Sequence, residues 1–364
     1  MAAEAVGIDT EFVWTNTYYP CFGLLQLAYD REHCILVDPT TITETAPFRE
    51  LLESPNVVKV FHEAASDLPI LHRWCGALAV HVVDTRIAGG FCGLTGRMSL
   101  AKLLQNRLSV HLEKSETRTD WLQRPLTEAQ LAYAGEDVIY LPELWKSLAS
   151  MLESFGNLER FLDEMSVYAK AEFYDEPAPE EYWKRASRPK YLHFTLQDIA
   201  VFQRLLAWRE RTARENNITR NRILKDQTLA VMAVKHPYTM DEICGTIGIW
   251  PRSARKYGEE IIGIVKSAMK LPKEEWPLQK MTKVDSLMVR NYSDRLLALA
   301  TKRAEAHGIE PSFVCSRHDA SWLVHTVFEG GDEASSPLLK GWRRELLGES
   351  LSEILAEMKR KRKL

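Results

Sequence analysis

Over the first 150 residues, short apolar runs alternate with amphipathic stretches. Ala5–Asp9 is short and apolar and leads into Asp-Thr-Glu-Phe. Leu24–Tyr29 and His33–Val37 read as strands around the polar turn Asp30-Arg31-Glu32, so a sheet that begins antiparallel is expected. Phe48–Glu53 reads as a short helix and Val57–Phe61 as a buried strand. Ala64–Trp74 reads as a helix with Leu68, Leu71 and Trp74 on one face, and Val80–Val83 as a further strand. Ser99–Leu104 and Thr127–Leu148 are expected to be helical. The latter opens on a capping box, with Thr127 as cap and Gln130 reaching back. This alternation predicts a mixed α/β layer. From about residue 160 the strand signal stops. Two amphipathic helical stretches follow, separated by the proline-bearing segment 271–284.

That pattern suggests a division into residues 1–170, a linker at 171–190, a helical domain at 191–270, a linker at 271–284, a second helical domain at 285–358 and a basic tail at 359–364. The length of 364 residues allows two or three domains, each large enough to bury a core without disulfides. The six cysteines show no C-x-x-C or zinc-finger spacing, and no leading apolar segment reads as a secretory signal. A cytoplasmic protein with free thiols is expected, with no membrane span.

Four carboxylates stand out. Asp9 and Glu11, at i and i+2 near a strand end, point to one face. Asp67 opens a helix after a buried strand. Asp137 lies one helical turn after Tyr133, in an otherwise apolar run. Paired like charges in a partly buried place suit a bound cation. Two-metal phosphoryl transfer uses such a set, with ions about 3.5–4 Å apart clamping the attacking and leaving oxygens. Taken singly, each residue also fits a structural part: a strand end, a helix cap, a surface carboxylate.

Three segments carry a resemblance. Asp9-Thr10-Glu11-Phe12 with Tyr19-Pro20 and Leu25-Gln26-Leu27 is the first, and Val60–Leu68, with its His62-Glu63-Ala64-Ala65-Ser66-Asp67 core, the second. Tyr133-Ala134-Gly135-Glu136-Asp137-Val138 is the third. In this order they resemble the motifs of the DEDD exonuclease superfamily, in the version with tyrosine four residues before the last aspartate. With Asp84-Thr85, Leu112–Ser115, Asp120-Trp121 and Arg124-Pro125-Leu126 between them, the chain resembles the bacterial ribonuclease D family over nearly its whole length. The resemblance implies a ribonuclease H-like exonuclease domain with a mixed five-stranded sheet, followed by two all-α HRDC-like domains. It implies that Asp9, Glu11, Asp67 and Asp137 hold two divalent ions, Mg²⁺ or Mn²⁺, and that Tyr133 positions the water. It also implies 3′→5′ release of nucleoside 5′-monophosphates from RNA with a free 3′ end, tRNA precursors above all. Asp84, outside the three motifs, is expected to be structural. The Asp-x-Glu strand lies nearer the N-terminus than is usual in the family, so either the sequence starts late or an edge element of the sheet is missing.

Arg204, Arg209, Arg211, Arg214, Arg220, Arg222 and Lys225 fall within 22 residues. They suit phosphate contacts or simply a solvated helical face. Leu206–Glu210, Asn221–Leu224 and Arg255–Gly258 are similar to an HRDC domain, and 337–348 to a second one. Trp208 is expected in the core. Phe12, Lys114, Arg118, Arg124, Arg209 and Arg222 are the candidate substrate contacts; core packing is the alternative for Phe12, and a salt-bridged loop for Lys114, Arg118 and Arg124. The net charge of −3 seems to speak against a nucleic-acid partner, but residues 1–180 sum to −13, 181–280 to +8 and 281–364 to +2. An acidic catalytic half and a basic binding half match an RNA nuclease. A DNA-directed exonuclease and an idle RNA-binding scaffold are the alternatives, and a monomer is expected.

Overall fold

The first apolar run is the nine-residue strand β1 (Ala5–Val13). The computed structural model describes residues 4–96, 98–112, 119–184, 186–187, 189, 191–276 and 285–362. β2 (Cys21–Ala28), β3 (Cys34–Val37), β4 (Val58–Phe61) and β5 (Val82–Asp84) complete a sheet of order β3-β2-β1-β4-β5. β2 and β3 are antiparallel, with Leu25 opposite Val37, while β1–β4 and β4–β5 are parallel. The sheet is therefore mixed and five-stranded, and β1 lies in its middle. Val60, Phe61 and Val83 are fully buried, as strands covered on both faces require.

Helices α1 (Ala46–Glu53), α2 (Ala64–Cys75), α3 (Thr85–Phe91) and α4 (Leu100–Leu108) follow their strands. The expected helix Thr127–Leu148 is two helices, α5 (Glu128–Ile139) and α6 (Leu141–Ser154), broken at Tyr140. Pro142 has no N–H for the carbonyl of Val138; the Tyr140 N–H bonds that carbonyl instead and the chain turns. α3, which carries Gly89-Gly90, is not among the helices the pattern predicts. It forms because Asp84 caps it at the Arg86 and Ile87 N–H groups.

α5 and α6 pack directly on β1. Gly7 makes this possible: a Cβ there would lie 2.6 Å from the Val138 carbonyl oxygen and 2.9 Å from the Leu141 Cβ. Gly7→Val is expected to push the α5–α6 corner off the strand. Such overpacking costs about 1–3 kcal/mol. A thermal melt lower by several degrees, with loss of activity beyond the loss of folded protein, would show both effects.

The chain forms two compact units. The first joins Met1–Val13, Phe22–Tyr174 and Thr282–Leu364. It also contains α7 (Leu158–Met165) and α8 (Ala171–Tyr174). The second joins Trp14–Cys21 to Asp175–Met281, with helices α9 (Leu196–Glu215), α10 (Arg220–Ile223), α11 (Asp226–Lys235), α12 (Met240–Cys244) and α13 (Pro251–Met269). The last helices, α14 (Ser286–Ala306), α15 (Pro311–Val314), α16 (Arg317–Glu329) and α17 (Gly341–Arg362), share the core of the first unit. The Phe91 ring lies 4.9 Å from Trp342 and 6.0 Å from Phe313. Gly90, lacking a Cβ, leaves the space Phe313 fills. Buried Asn157 donates to the carbonyls of Phe91 (3.0 Å) and His307 (2.7 Å), and Arg343 pairs bidentately with Glu164.

In the second unit α9 packs on α11, on α13 and on a 3-10 turn at Pro179–Lys184. Trp208 lies in this core, 4 % exposed, as expected. The stretch between β1 and β2 also belongs here. The Tyr18 hydroxyl bonds buried Glu210, and the Arg220 guanidinium sits 4.9 Å from the Tyr18 ring and 4.5 Å from that of Tyr182. Among the described residues no helix is long and apolar enough to cross a membrane.

Candidate active site

Strand alternation sets the site. Gly7 faces the α5–α6 corner, so Asp9 and Glu11, two and four residues on, face the same side. α5 brings Asp137 to them: Asp9, Glu11 and Asp137 each offer a carboxylate oxygen, all within 4.8 Å of one another. Asp67, in the first turn of α2, is buried and accepts a hydrogen bond from the Thr10 hydroxyl. It is near enough to act electrostatically on Asp9 and Glu11. The structure thus brings Asp9, Glu11 and Asp137 together, with Asp67 outside that 4.8 Å set and near enough to act on them by charge. Tyr133, one turn before Asp137, sets its hydroxyl close enough to the Asp137 carboxylate to act on it, and its ring lies 6.1 Å from that of Trp121.

Neighbouring residues position these groups. Asp84 accepts from the N–H groups of Glu63 (3.2 Å) and Ala64 (3.0 Å) and so ties the start of α2, where Asp67 sits, to the end of β5. This is the structural part expected of it. Glu63 enters α2 in the left-handed region at φ 71°. Trp121 lies against β2 because Gly23 lacks a Cβ, which would fall 2.7 Å from the Trp121 carbonyl oxygen. Thr10 and Gly7 were not among the expected site residues. Only a glycine inside a strand pattern hinted at the close approach.

Burial, then the charges of Asp67, Asp137 and Glu11, push the Asp9 carboxyl well above the usual range. Burial, then Asp137 and Asp67, raises Glu11 to about 8. Burial lifts Asp67 to about 7, against the Thr10 hydrogen bond, and Asp137 to about 6, against that of Tyr133. Burial and the negative charge of Asp137 raise the Tyr133 phenol as well, so it stays protonated at neutral pH. No lysine or arginine, among the described residues, is a cause of the carboxylate shifts. Such oxygen-only, uncompensated negative charge fits hard divalent cations.

A pH dependence follows. These carboxyls bind more protons in the folded state than in the unfolded one, so folding stability declines as pH rises. In EDTA the melting temperature is expected to fall from roughly pH 4 towards about 8, the range between ordinary carboxyl values and that of Glu11. Millimolar Mn²⁺ is expected to reverse the decline by binding only the folded state. A melting temperature flat in pH and indifferent to Mn²⁺ would contradict the assignment.

The expected substrate contacts separate. Phe12 is half-buried at the end of β1, on the strand face opposite to Asp9 and Glu11. Arg124 is committed elsewhere: its guanidinium bonds Asp38 twice, at 2.6 and 2.7 Å, and the carbonyls of Gly23 and Trp121. It is a salt-bridged tie, with Asp38 as the partner. Arg209 is a correction. It is 4 % exposed, donates to the Leu224 carbonyl and pairs with Asp226 at 2.7 Å, so it joins α9 to the start of α11 inside the second unit. Arg222 is exposed on α10. Lys114 and Arg118 lie outside the described residues.

Residues 1–153 match the family model of 3′-5′ exonucleases, and residues 198–265 that of HRDC domains. Ribonuclease D of Escherichia coli K12 is 33% identical over 357 residues, 98% of this chain and 94% of the relative. Ribonuclease D of Desulfotalea psychrophila is 33% identical over 94% of this chain and 91% of its own length. The crystal structure of E. coli RNase D, described as an exoribonuclease involved in structured RNA processing, superposes with a TM-score of 0.87. That match has 31% identity and covers 98% of this chain and 94% of the other.

Proposed function

The chain belongs to the ribonuclease D family and is a 3′→5′ exoribonuclease; from that premise we propose that Asp9, Glu11, Asp67 and Asp137 hold two divalent ions, Mg²⁺ or Mn²⁺, and that Tyr133 orients the attacking water. The observation that carries this reading is the convergence of the carboxylate oxygens of Asp9, Glu11 and Asp137 within 4.8 Å, with Asp67 acting on them electrostatically and no lysine or arginine among the described residues a cause of their shifts. When bound, such ions neutralise phosphate charge and supply a nucleophile at neutral pH. The chain's own part is placement. Asp9 and Glu11 are fixed by the central strand, Asp137 by α5 and Asp67 by α2. The Tyr133 phenol, held protonated, acts as a hydrogen-bond donor or acceptor to water and not as a base. Asp137 fixes its direction.

The products are nucleoside 5′-monophosphates, removed one at a time from the 3′ end. The substrates we infer are structured RNAs with 3′ extensions, tRNA precursors among them. The charge of +8 over residues 181–280 supports a helical unit that holds RNA, with exposed Arg222 a contact. We infer a monomer working in the cytoplasm, where the six free thiols stay reduced.

Incubating the protein with Mg²⁺ or Mn²⁺ and 5′-labelled RNA carrying a 3′ extension tests this. Stepwise shortening is expected, lost in EDTA and on substrates with a blocked 3′ end. Faster shortening of matched DNA would point to a DNA exonuclease. Binding without shortening would leave an RNA-binding scaffold.

A further inference from the structure

Tyr191, Ile247 and Trp250 are 72 %, 73 % and 67 % exposed. All three line one groove of about 370 Å³ in the second unit, together with Lys225 and Gln227. Large apolar side chains this exposed gain nothing for folding, and their gathering in one concavity calls for an occupant.

The groove is built, not loose. The loop after α12 is pinned to α11 by the Thr228 hydroxyl, which donates to the Gly248 carbonyl at 3.2 Å. Gly248 has φ +85°, and a Cβ there would sit 2.8 Å from the Thr228 Oγ1, so the loop presses directly on the helix. Thr246 closes the loop's start by donating to the Glu242 carbonyl at 2.9 Å. Ile249 packs against the core while Ile247 and Trp250, on either side of it, face solvent. Trp250 is extended (φ −83°, ψ 140°) and immediately precedes Pro251, the first residue of α13, a helix anchored by buried Tyr257 and Ile261. Tyr191 reaches the groove from a segment whose Leu192 and Phe194 pack against the same core.

Charge decides what this shape receives. The Lys225 ammonium has no ion-pair or hydrogen-bond partner among the described residues, and exposed Arg222 precedes it in sequence across the extended Leu224. Two aromatic faces suit a nucleobase, the ammonium suits its phosphate, and the Gln227 amide can bond a base edge. An apolar peptide would leave the lysine unmatched.

We propose that this groove binds an unpaired nucleotide of the RNA, its base stacked on Trp250 and Tyr191 and its phosphate on Lys225. The assignment rests on the exoribonuclease reading and adds a holding site in the helical unit.

The test is fluorescence anisotropy of the full chain with a 5′-labelled single-stranded oligoribonucleotide in EDTA, so that the strand survives. W250A and Y191A are each expected to weaken binding by about five- to thirty-fold. K225A is expected to weaken it and to reduce the slope of log affinity against log salt by about one. A fully paired RNA of the same sequence is expected to lose no affinity in W250A. Replacing a uridine with 4-thiouridine is expected to give a photo-crosslink in the peptide containing Trp250. All three residues are exposed, and a melt confirms folding. Wild-type affinity in both W250A and Y191A would overturn the proposal and leave a protein partner for the groove. Failure of the wild-type chain to shorten the same RNA in Mn²⁺ would instead sink the exoribonuclease reading on which it rests.

Discussion

Asp9→Asn is expected to lower kcat by on the order of 10²–10³-fold or more and, at the same time, to raise the melting temperature in EDTA. The two effects have one cause. Asp9 is half-buried beside Glu11 and Asp137, with Asp67 near enough to act on it, and desolvation and repulsion hold its carboxyl well above the ordinary range. Removing its charge relieves both terms in the metal-free protein, so the folded state gains stability above the unfolded carboxyl range. The same removal deletes an oxygen donor from the set that would hold the ions. Kinetics in saturating Mn²⁺ and a melt in EDTA at pH 8 check both halves. A variant both inactive and destabilised would mean that Asp9 holds the fold together and not a cation. The variant is also expected to lose most of the wild-type gain in melting temperature on adding Mn²⁺.

Tyr133→Phe is expected to reduce kcat by about 10²-fold, the scale of a misplaced reactant, with KM nearly unchanged. Only a hydroxyl is removed; the ring contact with Trp121 at 6.1 Å remains, so the local packing is kept. A loss in kcat without KM marks an interaction made in the transition state alone. Since burial and Asp137 raise the phenol's pKa, the wild-type rate is expected to show no alkaline limb from tyrosine ionisation. The Asp137 carboxyl, losing the hydrogen bond that holds it down, is expected to titrate higher in the variant than its present value of about 6. An unchanged kcat would remove Tyr133 from the reaction.

Much of this was legible along the chain. The strand periods at Leu24–Tyr29, His33–Val37 and Val57–Phe61, the capping box at Thr127 and the order of the three acidic motifs led to the sheet, to α5 and to the four carboxylates. What escaped the sequence was long-range. Nothing near Arg209 announces that Asp226 and the Leu224 carbonyl will enclose it. A salt-bridged Arg124 is one of the two readings, but its partner Asp38 lies 86 residues away and not in its own loop. Gly7 and Gly90 matter for what they let approach: the α5–α6 corner and the Phe313 ring. The helix from Thr127 was drawn too long because periodicity outweighed one proline.

The shared core of Phe91, Phe313 and Trp342 has a consequence for how the protein is made. The nuclease body draws its hydrophobic interior from both ends of the chain, with the helical unit of Asp175–Met281 threaded between them. A ribosome working at ordinary speed needs roughly tens of seconds to pass from the first of these residues to the last. During that interval the helical unit has all its parts, including Trp14–Cys21, and can settle. The catalytic body meanwhile waits with the Phe91 face open. Maturation of the enzyme is therefore ordered by translation: the inserted module closes first, and the nuclease is sealed only by its final helix.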